Sequence, residues 1–565
     1  MPEGQASQLE AVSSTMRIDN DELPVRAVSC PPFSDQRMGT AGLRKKVRVF
    51  QQPHYLETFL QAVLDTLRLP RGSTLVLGGD GRYFNKAALQ TLIRMTAAAG
   101  VQHLIIGQHG LLSTPAASNL IRTRKANGGF LLTASHNPGG PDGDFGIKFN
   151  MPNGGQAPQS VTDAVFLASQ AIHGYRIAEL PVVDLSRCGA QRHGPLLVEV
   201  VDPVTDYQKL MESLFDFDRM SGWLKAGNRL VFDAFHGITG PYARRILADT
   251  LGGDPADLLN TDPLPDFGGL HPDPNPVEGR HLVEMCASAA APALAAASDG
   301  DGDRNMILGP SCPVSPGDSL AIMLAGAHLI PGYRQGVPGV ARSMPTSRAV
   351  DKVAADLGIP CFETPTGWRF FCNLLEAGRI GLCGEESFGT GSSHAREKDG
   401  LWAVLFWINL LAARGESLPD VVSAHWRRYG RHYFQRHDYE IADATHGAGL
   451  IEALRARLDN LPGSDLGPGR VELADDFHYH DPVDGSESPH QGVRIVLGSG
   501  ARIVYRLSGT GTAGATLRIY LEQYQSDPAL LNHSPTETLG RLGQLAATVA
   551  AIEAHTGLTR PTLTV

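Results

Sequence analysis

Between residues 73 and 133 the apolar positions fall in short unbroken runs, separated by longer stretches where apolar and polar residues interleave. Residues 75–82, Leu-Val-Leu-Gly-Gly-Asp-Gly-Arg, predict a buried strand ending in a glycine turn, and a helix-like run follows to Ala99. Residues 102–106 and 130–133 predict two further strands. The pattern returns at 230–241, where a strand and a glycine loop lead into a helix through Ile246. That echo is too widely spaced for a solenoid. Strands alternating with helices predict a mixed or parallel sheet whose strand ends carry ligand-facing loops.

The same patterning marks boundaries. Residues 1–28 are polar with little periodicity and are expected to form a flexible N-terminal arm. An α/β domain is expected over 29–205 and a second over 206–308, opening with a helix from Asp206 to about Lys225. Five prolines within 262–276 predict a long ordered loop. A third α/β domain spans 309–430; its apolar run 401–413 is interrupted by Asn409 and too short for a bilayer, so it predicts a buried helix. From 431 to 565 the style becomes α+β. A hairpin is expected over 492–497 and 502–505, and a closing helix from about Glu537 to His555, stopped by Gly557.

Composition narrows the class. A chain of 565 residues is long enough for several domains, and its hydrophobic share of 42% and charged share of 19% suit a soluble enzyme. The formal net charge of -10 disfavours nucleic acid, and nothing argues for a membrane surface. Seven scattered cysteines without a C-x-x-C pair read as reduced thiols, and the first 25 residues lack a signal peptide pattern. A cytoplasmic setting is expected.

The chemistry concentrates in seven stretches. Residues 129–142, Gly-Phe-Leu-Leu-Thr-Ala-Ser-His-Asn-Pro-Gly-Gly-Pro-Asp, run from a strand into a turn bearing Ser135 and His136, with Lys148 beyond. Serine, asparagine and proline also shape ordinary turns, and a serine is a weak nucleophile until a base or metal activates it. Residues 299–304, Asp-Gly-Asp-Gly-Asp-Arg, set three carboxylates at alternate positions, able to fold round one hard cation. An EF-hand fails here, because its Gly and Glu positions hold Arg304 and Pro310. The basic run Arg44-Lys45-Lys46 reads either as a solvated turn or as a lid over an anion. Thr366 and Gly367 form a polar turn, and residues 384–391 carry Glu385 and Ser387, a carboxylate and hydroxyl matched to vicinal sugar hydroxyls. Lys398 is placed for proton transfer or for the surface. Arg506, Ser508, Gly509 and Thr510, with Arg518 after them, suggest a phosphate cradle. The run also contains G-x-G-x-x-G, but Leu517, Ile519 and Leu521 alternate as in a strand, which rejects a dinucleotide fingerprint.

Together, TASHNPGG, DGDGDRN, GEESFGTGS and RLSGTGTAGAT, in that order, resemble the phosphoserine, metal, sugar and phosphate loops of the α-D-phosphohexomutases. With GLRKKV, TPTGW and REKDGLWAV added, the resemblance is closest to the phosphoglucomutases and covers roughly residues 35 to 560. It implies three related α/β mixed-sheet domains and a smaller C-terminal α+β domain around a central cleft. It also implies that Ser135 is phosphorylated and, with Asp299, Asp301 and Asp303, holds Mg²⁺. Arg44, Arg304 and Lys398 would contact substrate or assist proton transfer; Glu385, Ser387 and Thr366 would meet the sugar; Arg506, Ser508, Thr510 and Arg518 would grip the non-reacting phosphate. The implied reaction interconverts glucose 1-phosphate and glucose 6-phosphate through glucose 1,6-bisphosphate, in a monomer or homodimer. Ala41 and Arg369 depart from the family's usual Ser and Lys, beside the site rather than on its chemistry. A catalytically silent relative, a metal-assisted phosphatase and a mutase for mannose or glucosamine phosphates are the alternatives.

Overall fold

In each of three sheets a central parallel strand runs out into a loop and the chain returns antiparallel. The computed structural model describes residues 23–39, 41–508 and 514–565. In the first domain seven strands lie in the order Leu43–Lys46, Asp144–Asn150, Gly129–Leu132, Thr74–Gly79, His103–Leu111, Leu196–Val201, Gly189–His193. Gly129–Leu132 is parallel to Thr74–Gly79 and antiparallel to Asp144–Asn150. In the second domain Leu294–Ser298 is parallel to Leu230–Asp233, and Asn305–Gly309 returns antiparallel. The third repeats this with Leu382–Gly384, parallel to Val340–Ser343, and Thr390–Ser392 returning. Loops 133–143, 299–304 and 385–389 therefore occupy one equivalent place, the carboxyl end of a central strand, where α/β sheets open toward ligands. The three strands feeding them are buried along their whole length, which is why they read as unbroken small or apolar runs.

The helix Gly400–Arg414 joins the second and third domains. It packs on Leu294–Ser298, Asn305–Gly309 and Thr390–Ser392, and Trp402 and Trp407 are fully buried. Burying a large apolar side chain contributes about 1.5–3 kcal/mol, so the joint is firm. Asp399 caps this helix by accepting from the Trp402 N–H (3.0 Å).

The fourth domain is an antiparallel sheet in the order Val471–Asp476, Val493–Leu497, Ala501–Ser508, Ala515–Gln525, Arg431–Ile441, Leu563–Thr564. Helices Ala444–Arg455 and Pro535–Val549 pack on it around their own apolar core. It meets the third domain through polar contacts: Arg502 donates to the carbonyls of Met344 (2.8 Å) and Thr346 (2.6 Å), and the Arg348 N–H donates to Glu522 (2.7 Å). The fold class read from the sequence is the one observed. No helix among the described residues is long and apolar enough to cross a membrane.

Four elements differ from expectation. Val25–Ser29 lies partly in the expected arm, yet it pairs antiparallel with Gly174–Ala178. The helix expected from Asp206 to Lys225 is two, Thr205–Leu214 and Phe217–Lys225, because Phe215 is extended and Asp216 caps the second through the Arg219 N–H (3.1 Å). The helix after the strand at 230 passes from Thr239–Ala243 into a π-helical stretch, Arg244–Thr250. The closing helix starts at Pro535 in a Ser534/Glu537 capping box and stops at Val549; left-handed Ala551 (φ 48°) separates it from Ile552–Thr556.

Candidate active site

Gly129–Leu132 delivers Ser135 into a buried turn at φ 53°. A non-glycine residue in that left-handed region costs on the order of 1–3 kcal/mol and persists only where its surroundings over-determine it. Three contacts do so. The Ser135 N–H donates to Thr133 Oγ1 (2.8 Å), the Thr133 hydroxyl donates to Asp80 (2.6 Å), and the Ser135 carbonyl accepts from Arg82 Nη2 (2.7 Å). The Arg82 guanidinium is itself buried, paired with Asp80 (2.9 Å), and donates to the carbonyls of Asn137 (3.3 Å) and Asp144 (2.9 Å).

Held this way, Ser135 Oγ donates to Asp299 Oδ2 at 2.8 Å and lies 3.3 Å from His136 Nδ1. Burial, then Arg304, Arg44, His271 and Lys398, push the His136 imidazole well below its ordinary range. The acidic loop is shaped by its own amides: Asp299 Oδ1 accepts from the N–H groups of Asp303 (2.9 Å) and Arg304 (3.0 Å). Asp301 Oδ2 accepts from the hydroxyl of Thr114 (2.9 Å), the first residue of helix Thr114–Thr123.

One oxygen from each of Asp299, Asp301 and Asp303 lies within 4.8 Å of the others, and all three residues are buried. Burial, then Asp303 and Asp301, push the Asp299 carboxyl well above its ordinary range. Burial also acts against the Asp301 carboxylate, but Lys148, the Thr114 hydroxyl, Arg44 and Lys398 outweigh it and hold that group below the usual value. Asp301 Oδ1 and Asp303 Oδ1 are buried and accept no hydrogen bond, although Lys398 Nζ stands 3.3 Å from the latter. Orphaned oxygens on converging carboxylates fit a hard divalent cation.

Cations ring the triplet. Leu43–Lys46 is an edge strand rather than a turn, and its basic run divides: Lys45 pairs with Asp35 (3.1 Å) and Lys46 with Asp144 (2.9 Å), while Arg44 Nε is buried without a partner. Only Arg44 of the three is set toward Asp301 and Asp303, whose charges oppose the lowering of its pKa by burial. Arg304 Nη1 donates to Asp273 (2.9 Å) in the proline-rich loop. Lys398 Nζ also lies 3.9 Å from Glu385 Oε2. Lys148 donates to the buried Glu397 carboxylate (3.1 Å).

The third-domain loop comes up beside these groups. Arg304 and Gly389 form a β-bridge, and the Asn305 N–H donates to the Phe388 carbonyl (2.8 Å), so the acidic loop and the 385–389 loop are one hydrogen-bonded unit. Glu385 is buried and accepts from the Gly367 N–H (3.1 Å); Thr366 Oγ1 is buried without a partner, and Ser387 is half-buried. From the fourth domain, Arg506 and Arg518 face each other across adjacent strands, and Ser508 ends the first of these. The Arg506 guanidinium donates to the Tyr520 hydroxyl (3.4 Å), and Arg518 is near enough to feel Glu386 and Arg304. Gly509 and Thr510 lie outside the described residues. Ala41 and Arg369 line one small crevice next to Lys148.

The structure thus brings Ser135, His136, Lys148, the three aspartates, Arg304, Lys398 and Glu385 together, with Arg44 alongside. Sequence reasoning missed Asp80, Arg82, Thr114, Asp273 and Glu397. The signals were present for three: Asp80-Gly81-Arg82 ends a buried strand, and Glu397 sits between two cations in Arg396-Glu397-Lys398.

Three α/β/α domains and an appended fourth around one polar cleft have the build of a sugar-phosphate mutase. Profiles described as phosphoglucomutase/phosphomannomutase alpha/beta/alpha domains I, II and III match residues 35–174, 206–311 and 316–429, and the phosphoglucomutase-1 C-terminal domain matches 431–562. A phosphoglucomutase of Rhizobium radiobacter is 52% identical over 95% of this chain and 99% of its own. One of Aspergillus fumigatus is 47% identical over 95% and 99% respectively. The open form of the exocytosis-sensitive phosphoprotein pp63/parafusin, a phosphoglucomutase from Paramecium, superposes with a TM-score of 0.88 at 43% identity, covering 96% of this chain and 99% of that one. The chain belongs to the phosphoglucomutase/phosphomannomutase family.

Proposed function

We propose that this chain interconverts α-D-glucose 1-phosphate and glucose 6-phosphate, with Ser135 carrying the phosphoryl group and glucose 1,6-bisphosphate as the intermediate. The observation that carries this reading is the 2.8 Å hydrogen bond from Ser135 Oγ to Asp299, which sets a buried hydroxyl against three converging carboxylates. The names of the near relatives support glucose as the hexose.

Asp299, Asp301 and Asp303, with the Ser135 oxygen or its phosphoryl group, would hold Mg²⁺; the all-oxygen donor set and the two orphaned oxygens suit that ion. Bound there, it would neutralise charge on the transferring phosphoryl group.

The side chains do the remaining work. In the first half-reaction phospho-Ser135 gives its phosphoryl group to the 6-hydroxyl of glucose 1-phosphate; the bisphosphate then turns end for end, and its 1-phosphate returns to Ser135. Phosphoryl transfer depends mainly on positioning and charge stabilisation. Arg44, Arg304 and Lys148 supply positive charge, and His136 and Lys398 stand where a proton can pass to or from the reacting hydroxyl. Glu385 and Ser387 take sugar hydroxyls in either orientation, with Thr366 and Gly367 beside them. Arg506, Ser508, Gly509, Thr510 and Arg518 grip the phosphate that is not reacting. Closure of the fourth domain would exclude water that otherwise hydrolyses the phosphoserine.

The domain limits proposed are 206–308, 309–430 and 431–565 for the last three domains; the first, expected over 29–205, begins by Val25, whose strand pairs with Gly174–Ala178. Seven unpaired cysteines support a cytoplasmic setting. The test is a coupled assay for glucose 6-phosphate from glucose 1-phosphate, primed with the bisphosphate and run beside an orthophosphate assay and beside mannose and glucosamine 1-phosphates. Glucose 6-phosphate formed without net phosphate release supports the mutase; release of phosphate alone would replace it with a phosphatase.

A further inference from the structure

Residues 396–400 form a segment in which every residue reaches outside its own domain. The Arg396 N–H donates to Ser118 Oγ (3.0 Å) in the first domain. Glu397 accepts there from Lys148 Nζ (3.1 Å), Asn150 Nδ2 (2.9 Å) and Gln156 Nε2 (3.1 Å). Lys398 Nζ lies 3.3 Å from Asp303 of the acidic loop. Asp399 accepts from the Tyr207 hydroxyl (2.7 Å), and the Gly400 N–H donates to the Gly302 carbonyl (3.0 Å). A β-carbon at Gly400 would stand 2.0 Å from the Arg304 carbonyl, so this approach requires glycine.

Glu397 is the residue here whose chemistry exceeds what packing needs. Its carboxylate is fully buried, which is costly unless a charge answers it, and the answering charge is Lys148. Lys148 and Asn150 reach it from one face of Asp144–Asn150, since alternate residues of a strand share a face. The next residue along, Lys398, makes the converse pairing with Asp303 of the acidic triplet, so two successive side chains tie the third domain to the first and the second.

We propose that Glu397 is a positioning residue for phosphoryl transfer: its buried carboxyl group holds the Lys148 side chain in place, tying the serine domain to the loop that carries Lys398 and, through it, to the acidic triplet. This rests on the mutase reading above. Glu397 touches no reacting atom; it acts through Lys148.

Glu397→Gln keeps the side-chain shape and an acceptor for Asn150 while removing the charge. Its kcat for glucose 1-phosphate should fall by about 10- to 100-fold while KM stays within about threefold, as misplacement of a transition-state charge predicts. The variant Lys148→Met/Glu397→Met replaces the pair with apolar groups, so its melting temperature should return toward wild type while kcat stays low. If Glu397→Gln keeps kcat within twofold of wild type, or if the double variant recovers kcat along with stability, the pair only packs and the proposal is overturned. A wild-type chain that releases phosphate without mutase turnover would remove the reading beneath it instead.

Discussion

Arg82 Nη2 donates to the carbonyl oxygen of Ser135 across 2.7 Å, so the serine turn takes its shape from a guanidinium rooted in another loop. Because that guanidinium also neutralises Asp80, removing it leaves a buried carboxylate unanswered. Arg82→Met should destabilise the protein by about 3–5 kcal/mol, read from urea unfolding, and lower turnover further than the stability loss alone explains. Arg82→Lys should rescue little, since an ammonium cannot fork to Asp80 and three carbonyls together.

Ser135→Ala should abolish formation of the phosphoenzyme, followed by intact-protein mass, and with it all turnover. The melting temperature should barely move, because Thr133 and Arg82 hold the turn through its backbone. Asp301→Asn should lower kcat by about 10²-fold or more, with partial recovery at high Mg²⁺ concentration. Chelation by EDTA should silence the wild type and Mg²⁺ should restore it. Near wild-type conversion by Ser135→Ala would sink the serine mechanism.

The loops that carry this chemistry were legible because each follows a strand whose residues are small or apolar without interruption, and because glycine and proline punctuate the turn. What the sequence hid lies between segments far apart in the chain. Arg82 and Ser135 are 53 positions apart, and Lys148 and Glu397 are 249 apart. Periodicity reports which face of an element is buried, but says nothing about which distant element covers it. The two helix breaks differ in kind: at Phe215 a local signal was present, since Asp216 caps the following helix through the Arg219 N–H, whereas at Ala551 a left-handed residue interrupts an otherwise helical run. The basic run at 44–46 misled in another way, since two of its three charges are spent on Asp35 and Asp144.

His425 gives the stability a dependence on pH. It is buried in helix Leu418–Tyr429, and burial, then His432, Arg414 and Arg428, push it down to about 4. An unfolded histidine titrates near ~6.5, so between these values the unfolded chain binds the additional proton. Stability therefore rises with pH across that window and is lost as pH falls through it, by up to about 3 kcal/mol. Urea midpoints at pH values on either side of ~6 should show the loss in the wild type and a flatter profile in His425→Gln.

Gly300 explains why the acidic loop can come so near the serine. A β-carbon there would stand 2.7 Å from the Ser135 carbonyl, the atom that Arg82 grips, and 3.0 Å from the Phe267 ring. The serine carbonyl cannot yield without releasing Arg82, so the acidic loop must move instead. Gly300→Ala should then lengthen the Ser135–Asp299 contact while leaving every charged group in place. A displacement near 1 Å can cost about 10²-fold in rate, whereas such overpacking costs about 1–3 kcal/mol in stability. The expected signature is a large fall in kcat with a modest fall in melting temperature; a Gly300→Ala protein that turns over normally would show that the serine and the triplet need not approach this closely.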